Sequence, residues 1–237
     1  MNICTIATEG EWLDLHAARW LRYVRANVPG AVTHLILASD TMDEATGGYH
    51  PVVSGFDAVR YYERAKGTRP WFNEVRMRAC ALFGVDRMTY LDADADVLAD
   101  VTSACDGVAA RLGFCRSPIV NRDWARVCAA QGWDVGGWMA DNCLLVMRGD
   151  FVSEYQSGVE LVAGVVGVHP RTSGTIAFNA MLRMNEGLWE EMDAGLSCIW
   201  PEADKYETVN IVQYCNDHGK AKRERLEMLD CAVRGVA

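Results

Sequence analysis

The residues most able to do chemistry lie in Tyr90-Leu91-Asp92-Ala93-Asp94-Ala95-Asp96-Val97-Leu98, where aspartates take alternate positions after an apolar run. An extended backbone through this stretch would turn Asp92, Asp94 and Asp96 to one face. Carboxylates that close repel one another and resist ionisation unless a cation sits between them. Hard divalent ions take carboxylate oxygens, so the pattern predicts a metal site. The bland alternative is a solvated acidic turn, and the apolar Val97-Leu98 that re-enters the core argues against it. A calcium loop starting at Asp92 would need Gly at its sixth place and Glu at its twelfth. Those places hold Val97 and Ser103, which excludes it.

The surrounding pattern predicts what must position these carboxylates. Residues Asn2 to Thr8 read as a strand, and Glu11 to Asn27 as a helix with Trp12, Leu15 and Leu21 at helical spacing. Val32 to Ala38 reads as a buried strand, followed by a loop from Ser39 to Pro51. Asp57 to Ala65 suggests a short helix, and Pro70 opens another that runs from Trp71 to Phe83 and stops at Gly84. The aspartates then follow a strand. Beyond them, Gly113 to Arg116 suggests a short strand and Ser117 to Ala140 a loop-rich, Trp-containing insertion. Cys143 to Met147 reads as a strand, Phe151 to Val166 and Gly174 to Glu186 as helices, and Val209 to Tyr214 as a last strand. Strands alternating with helices predict an α/β fold with a largely parallel central sheet. No linker or repeat divides the chain, so a single domain is expected, with residues 1–110 as one half and 111–237 as the other.

Composition narrows the function classes. The 237 residues are half apolar, include eight Trp, and carry a formal net charge of −9, which disfavours diffuse binding to polyanions. The nine cysteines are scattered, odd in number and without a CxxC pair, so reduced thiols in a cytoplasmic compartment are expected rather than disulfides or zinc. The N-terminus lacks a basic region before an apolar run, and no stretch is long and apolar enough to predict a membrane span.

Tyr90-Leu91-Asp92-Ala93-Asp94 and its continuation Val97-Leu98 resemble the D-x-D segment of GT-A-fold, Rossmann-like glycosyltransferases. The similarity is greatest to the family containing glycogenin and the bacterial lipopolysaccharide galactosyltransferases. That resemblance implies that Asp92 and Asp94 hold Mn²⁺ or Mg²⁺, which bridges the phosphates of a nucleotide-sugar, with UDP the expected nucleotide. Asp96 takes a place where the family has an apolar or hydroxyl residue, and so falls to a secondary role. By the same resemblance, Thr8 and Glu9 end the strand and loop that cradle the nucleoside, and Arg76, with Arg78 near it, lies close to the phosphates. The 1–110 half would then bind the nucleotide and the 111–237 half the sugar and the acceptor. Asp141-Asn142 before Cys143 to Met147 is similar to the family's F-N-x-G strand and would face the sugar. The family's D-Q-x-x-x-N falls on Gly174-Thr175-Ile176-Ala177-Phe178-Asn179, where only Asn179 matches. Ile211-Val212-Gln213-Tyr214 is similar to an I-V-H-Y in which the histidine is a third metal ligand. Here that place holds Gln213, and the nearby His218 is the better ligand for Mn²⁺, with Lys220 and Lys222 as diphosphate contacts.

The resemblance implies transfer of a sugar to a hydroxyl acceptor with retention of configuration. An inverting reaction would instead need a general base, for which Asp141, Asp134 and Glu202 are candidates. A saccharide is the first acceptor. A hydroxymethylated DNA base is the second, permitted by the basic run Lys220 to Arg225 and opposed by the overall acidity. The tryptophans between Trp124 and Trp138 would suit a stacking platform for a sugar or base. Two other readings stand beside the transferase. One is a phosphohydrolase of the haloacid-dehalogenase type, whose motif normally opens the chain and has Thr or Val where Asp96 stands. The other is an inactive module that binds a sugar nucleotide.

Overall fold

A computed structural model describes residues 1–39, 41–63, 70–117, 120–136, 139–170, 172–193, 196–199 and 210–213. The first strand, β1 (Asn2–Thr8), is buried over its middle five residues. It pairs in parallel with β2 (Val32–Ser39), which pairs in parallel with β3 (Ala58–Glu63). On its other side β1 pairs in parallel with β4 (Met88–Leu91). Two antiparallel pairings then join β4 to β7 (Met139–Met147) and β7 to β6 (Leu112–Ser117), and β8 (Trp189–Glu191) closes the edge in parallel with β6. The result is a mostly parallel, mixed seven-stranded sheet in the order β3-β2-β1-β4-β7-β6-β8. A separate three-stranded sheet places β10 (Ile211–Gln213) between β5 (Ala95–Val97) and β9 (Ser197–Ile199).

The alternation of side chains along the strands builds a core on each face. On one face Cys4, Ile6, Ile36, Tyr90, Phe114 and Leu145 pack beneath α3 (Pro70–Met77), α4 (Ala79–Phe83), α6 (Arg122–Gln131), α7 (Val152–Ala163) and α8 (Ser173–Met184). On the other, Ile3, Leu35, Leu37, Leu91 and Val146 pack against α1 (Ala18–Asn27) and the chain around α5 (Thr102–Gly107). Gly158 is what lets α7 and α8 approach: a β-carbon there would overlap the Ala177 carbonyl oxygen.

Several elements depart from the sequence reading. The helix expected over Asp57 to Ala65 is strand β3. The Asp57 carboxylate, which looks like a helix cap, instead accepts from the Thr33 amide at 2.8 Å and hydroxyl at 2.7 Å, pinning the segment to β2. Val59 and Tyr61 then face one core and Tyr62 the other, the period of a strand. The expected loop from Ser39 to Pro51 contains a short helix, α2 (Glu44–Gly47), capped by Asp43 and Thr46. The helix after Gly10 begins with a π-helical turn over Trp12–Ala17 before α1. The segment before Gly84 is two helices, because the Phe151 amide takes the Met77 carbonyl at 3.2 Å and Arg78 leaves helical geometry. Gly84 ends it with a φ of 65°, as its glycine predicts. The supposed loop-rich insertion holds α6, started by the Asn121 cap and stopped by Gly132 at φ 68°. Trp124 is buried there against Trp133, so it forms core rather than a stacking platform. Trp138 lies outside the described residues. Cys4, Cys80, Cys105, Cys115, Cys128 and Cys143 are all buried.

Candidate active site

The order β3-β2-β1-β4 reverses direction between β1 and β4, and open α/β sheets bind ligands beyond the strand ends at such a switch point. Thr8 and Asp92 stand at that end of the two strands. Antiparallel β7 brings its N-terminal half to the same place. Leu91 registers with Leu144, so Asp141 and Asn142 extend past the end of β4. A bulge assists them. Phe114 pairs with Leu145 but Cys115 pairs with Asp141, so Asn142, Cys143 and Leu144 bow away from β6. The Cys143 carbonyl accepts instead from the Asp92 amide at 3.0 Å.

The aspartates do not stay extended. The chain leaves β4 after Leu91 and turns through Asp92 to Asp94, closed by the Ala95 amide donating to the Asp92 carbonyl at 3.1 Å. It resumes as β5, and Asp96 therefore points elsewhere. Asp96 is buried, and accepts from Arg19 of α1 through both oxygens, at 2.8 Å from Nε and 2.6 Å from Nη2. This bidentate pair explains the third aspartate: it anchors β5 to α1, and the expected arrangement of three carboxylates on one extended face does not form.

Asp92 is built into a network. Arg76 Nη2 donates to its Oδ1 at 2.8 Å, and the Tyr90 hydroxyl donates to the same oxygen at 2.6 Å. Arg76 Nη1 donates to the Asn142 carbonyl at 2.6 Å, and the guanidinium lies 4.3 Å from the Tyr90 ring centre. Burial opposes charge on Arg76, but Asp92 and Tyr90 together outweigh it and keep the guanidinium firmly protonated. Burial likewise raises the Asp92 carboxyl, against the opposing pull of Arg76 and Tyr90. Asp141 is pushed up to about 7 by burial, with Asp92 and Asp94 adding repulsion and the Cys143 amide and Arg76 opposing it.

These residues suit a divalent cation. Asp92 and Asp94, which both push Asp141 up, offer the hard carboxylate oxygens such an ion takes. Among the described residues, no group of three or more His, Cys, Asp or Glu side chains is arranged to hold a metal. The backbone of Gln213 registers with Ala95, next to Asp94, which brings the end of β10 to this point. His218, Lys220, Lys222 and Glu202 lie outside the described residues.

The other expected site residues are placed as follows. Thr8 registers with Ala38 at the end of β1. Glu9 takes the Ser39 hydroxyl, the Thr41 hydroxyl at 2.6 Å and the amides of Thr41 and Met42 at 3.2 Å each, so it clamps the turn after β2. Asn179 is buried, accepting from the Ala140 amide at 2.7 Å and donating to the Thr175 carbonyl at 2.9 Å, and so braces β7 beside Asp141. Arg78 pairs with Glu74 at 3.1 Å, and Asp134 accepts from the Gly136 amide at 3.1 Å in an exposed turn. Sequence reasoning missed Tyr90, although its place two residues before Asp92 puts both on one strand face. It also missed Asn73, which accepts from Asn142 Nδ2 at 3.2 Å and which no local pattern marks.

No protein-family model matches the sequence, and a search of curated proteins finds no match. Solved structures do match. The galactosyltransferase LgtC, in complex with donor and acceptor sugar analogs, superposes with a TM-score of 0.70 at 14% identity, over 98% of this chain and 96% of that one. An active-site mutant of LgtC gives 0.66 at 14% identity, with the same coverage of both chains. Mouse xyloside xylosyltransferase 1, in its apo form, gives 0.59 at 10% identity, over 92% of this chain and 99% of that one. The chain has the GT-A fold.

Proposed function

We propose that this chain is a metal-dependent glycosyltransferase that moves a sugar from a nucleoside-diphosphate-sugar, UDP-sugars first, to a hydroxyl acceptor with retention of configuration. The observation that carries the reading is the Asp92-to-Asp94 turn at the β1/β4 switch point, faced by Asp141 from β7. Asp92 and Asp94 would hold Mn²⁺ or Mg²⁺, with His218 or Gln213 completing the set. When bound, the ion neutralises charge that develops on the departing diphosphate. Arg76 fixes the orientation of Asp92 and brings positive charge to the phosphate side of the site. Thr8, Glu9 and Lys220 complete the donor side.

Asp141 and Asn142 line the sugar side, where Asn179 keeps β7 in place. A carboxyl held near neutrality can hold or release a proton at working pH. A saccharide suits the acceptor better than a hydroxymethylated DNA base, because a net charge of −9 works against a polyanion. Among the described residues no helix is long and apolar enough to cross a membrane. The phosphohydrolase reading fits less well, since the acidic turn follows β4 rather than the first strand.

The test is donor turnover in the presence of Mn²⁺. Asp94→Ala should abolish metal-dependent release of nucleoside diphosphate from the donor, and full turnover in that variant would sink the proposal. A thermal-shift screen of nucleotide-sugars with and without Mn²⁺ identifies the donor, because a ligand that binds the native state raises its stability by mass action.

A further inference from the structure

The first turn of α8 interlocks with the polar face of α3 beside the aspartates. A β-carbon added at Gly174 would overlap the Asn73 amide nitrogen, so Asn73 occupies the space a side chain at 174 would take. Asn73 is held from two sides. Asn142 Nδ2 donates to its Oδ1 at 3.2 Å, and on the other side lies the Tyr155 hydroxyl, which donates to the Gly174 carbonyl at 3.4 Å. Arg76, one helical turn along α3, reaches both Asp92 and the Asn142 carbonyl. The seat of Asn73 is therefore continuous with the metal-side network. Tyr155 is buried, whereas Asn73 and Asn142 stay partly exposed, and Asn142 Oδ1 accepts no hydrogen bond from the described residues.

We propose that Asn73, seated in the space left by Gly174, is a specificity-determining residue that reads hydroxyls of the donor sugar together with Asn142. This inference rests on the transferase reading above. A carboxamide both donates and accepts, as a sugar hydroxyl does, so two amides side by side match a pair of neighbouring hydroxyls. Neither amide carries charge, and the group behind them is a neutral phenol. The pair therefore suits the uncharged part of a donor, while Arg76 and the metal side serve its phosphates.

Calorimetry separates these two parts. The full chain with Mn²⁺ is titrated with UDP, GDP, ADP, CDP and dTDP, then with the glucose and galactose esters of whichever nucleotide binds. Asn73→Ala removes the amide, and Gly174→Ala only pushes its far end aside. Both variants should keep the wild-type melting temperature and bind the free nucleoside diphosphate within about twofold of wild type. Both should lose about tenfold for the sugar ester, the worth of one well-made hydrogen bond, and should narrow the preference between the two epimers. Equal losses for nucleotide and ester would make Asn73 a mere brace of α3 and overturn the assignment. Unchanged ester binding in both variants would overturn it too. A wild-type chain that binds no nucleoside diphosphate would overturn both this assignment and the transferase reading.

Discussion

At the scale of residues, the site gathers carboxylates where burial works against their charge. Asp141 shows the consequence. Its carboxyl titrates near about 7 in the folded chain, pushed up by burial with Asp92 and Asp94 adding repulsion, whereas an unfolded aspartate titrates near about 4. Between those values the folded state binds the extra proton, so stability falls as pH rises through that window. The metal-free protein should therefore lose on the order of 2 kcal/mol from pH 4 to pH 8 through this group, after allowing for its partial exposure. Urea unfolding across that range should show the slope in the wild type and a flatter profile in Asp141→Asn. Mn²⁺ competes with the proton, so it should raise the melting temperature at pH 8 and leave it unchanged at pH 5. A pH-independent wild type would remove Asp141 from the cluster.

At the scale of elements, the Arg19–Asp96 pair connects α1 to β5 across the far side of the acidic turn. Both partners are buried and the contact is bidentate. Removing one partner leaves the other charged in a place that cannot hydrate it, which costs about 3–5 kcal/mol. Asp96→Ala should lose that much in urea unfolding, whereas Arg19→Met with Asp96→Leu should recover most of it. If the single and double variants were equally unstable, the pair would not be the anchor described. This pair also marks the limit of what the sequence discloses. The alternate aspartates announced a charged site, but whether the backbone stays extended through them depends on β10 pairing with β5, a contact from more than a hundred residues away. Asp57 is another case, since its preference for capping a helix yielded to the distant Thr33. Buried strands and glycine-ended helices such as the one before Gly84 were legible because their determinants are local. The seat of Asn73 was not, because it depends on the absence of a side chain at Gly174.

At the scale of the whole molecule, two sheets meet at the acidic turn. β4 enters it from the seven-stranded sheet, and β5 leaves it into the three-stranded one. The small sheet is drawn from three separated parts of the chain, Ala95–Val97, Ser197–Ile199 and Ile211–Gln213, and its strands are short. Such a ladder opens more readily than the middle of the central sheet, where β1 and β4 are buried. A cation held by Asp92, Asp94 and the C-terminal segment would clamp the Ala95–Gln213 end of the β5–β10 pairing and slow that opening. Hydrogen exchange measured with and without Mn²⁺ and the bound nucleoside diphosphate should show new protection at residues 95–97 and 211–213. The interior of β1 and β2 should exchange slowly in both conditions. Protection confined to the ends of β1 and β4 would mean that the nucleotide binds without the C-terminal segment, and the third ligand would then have to be sought on β7.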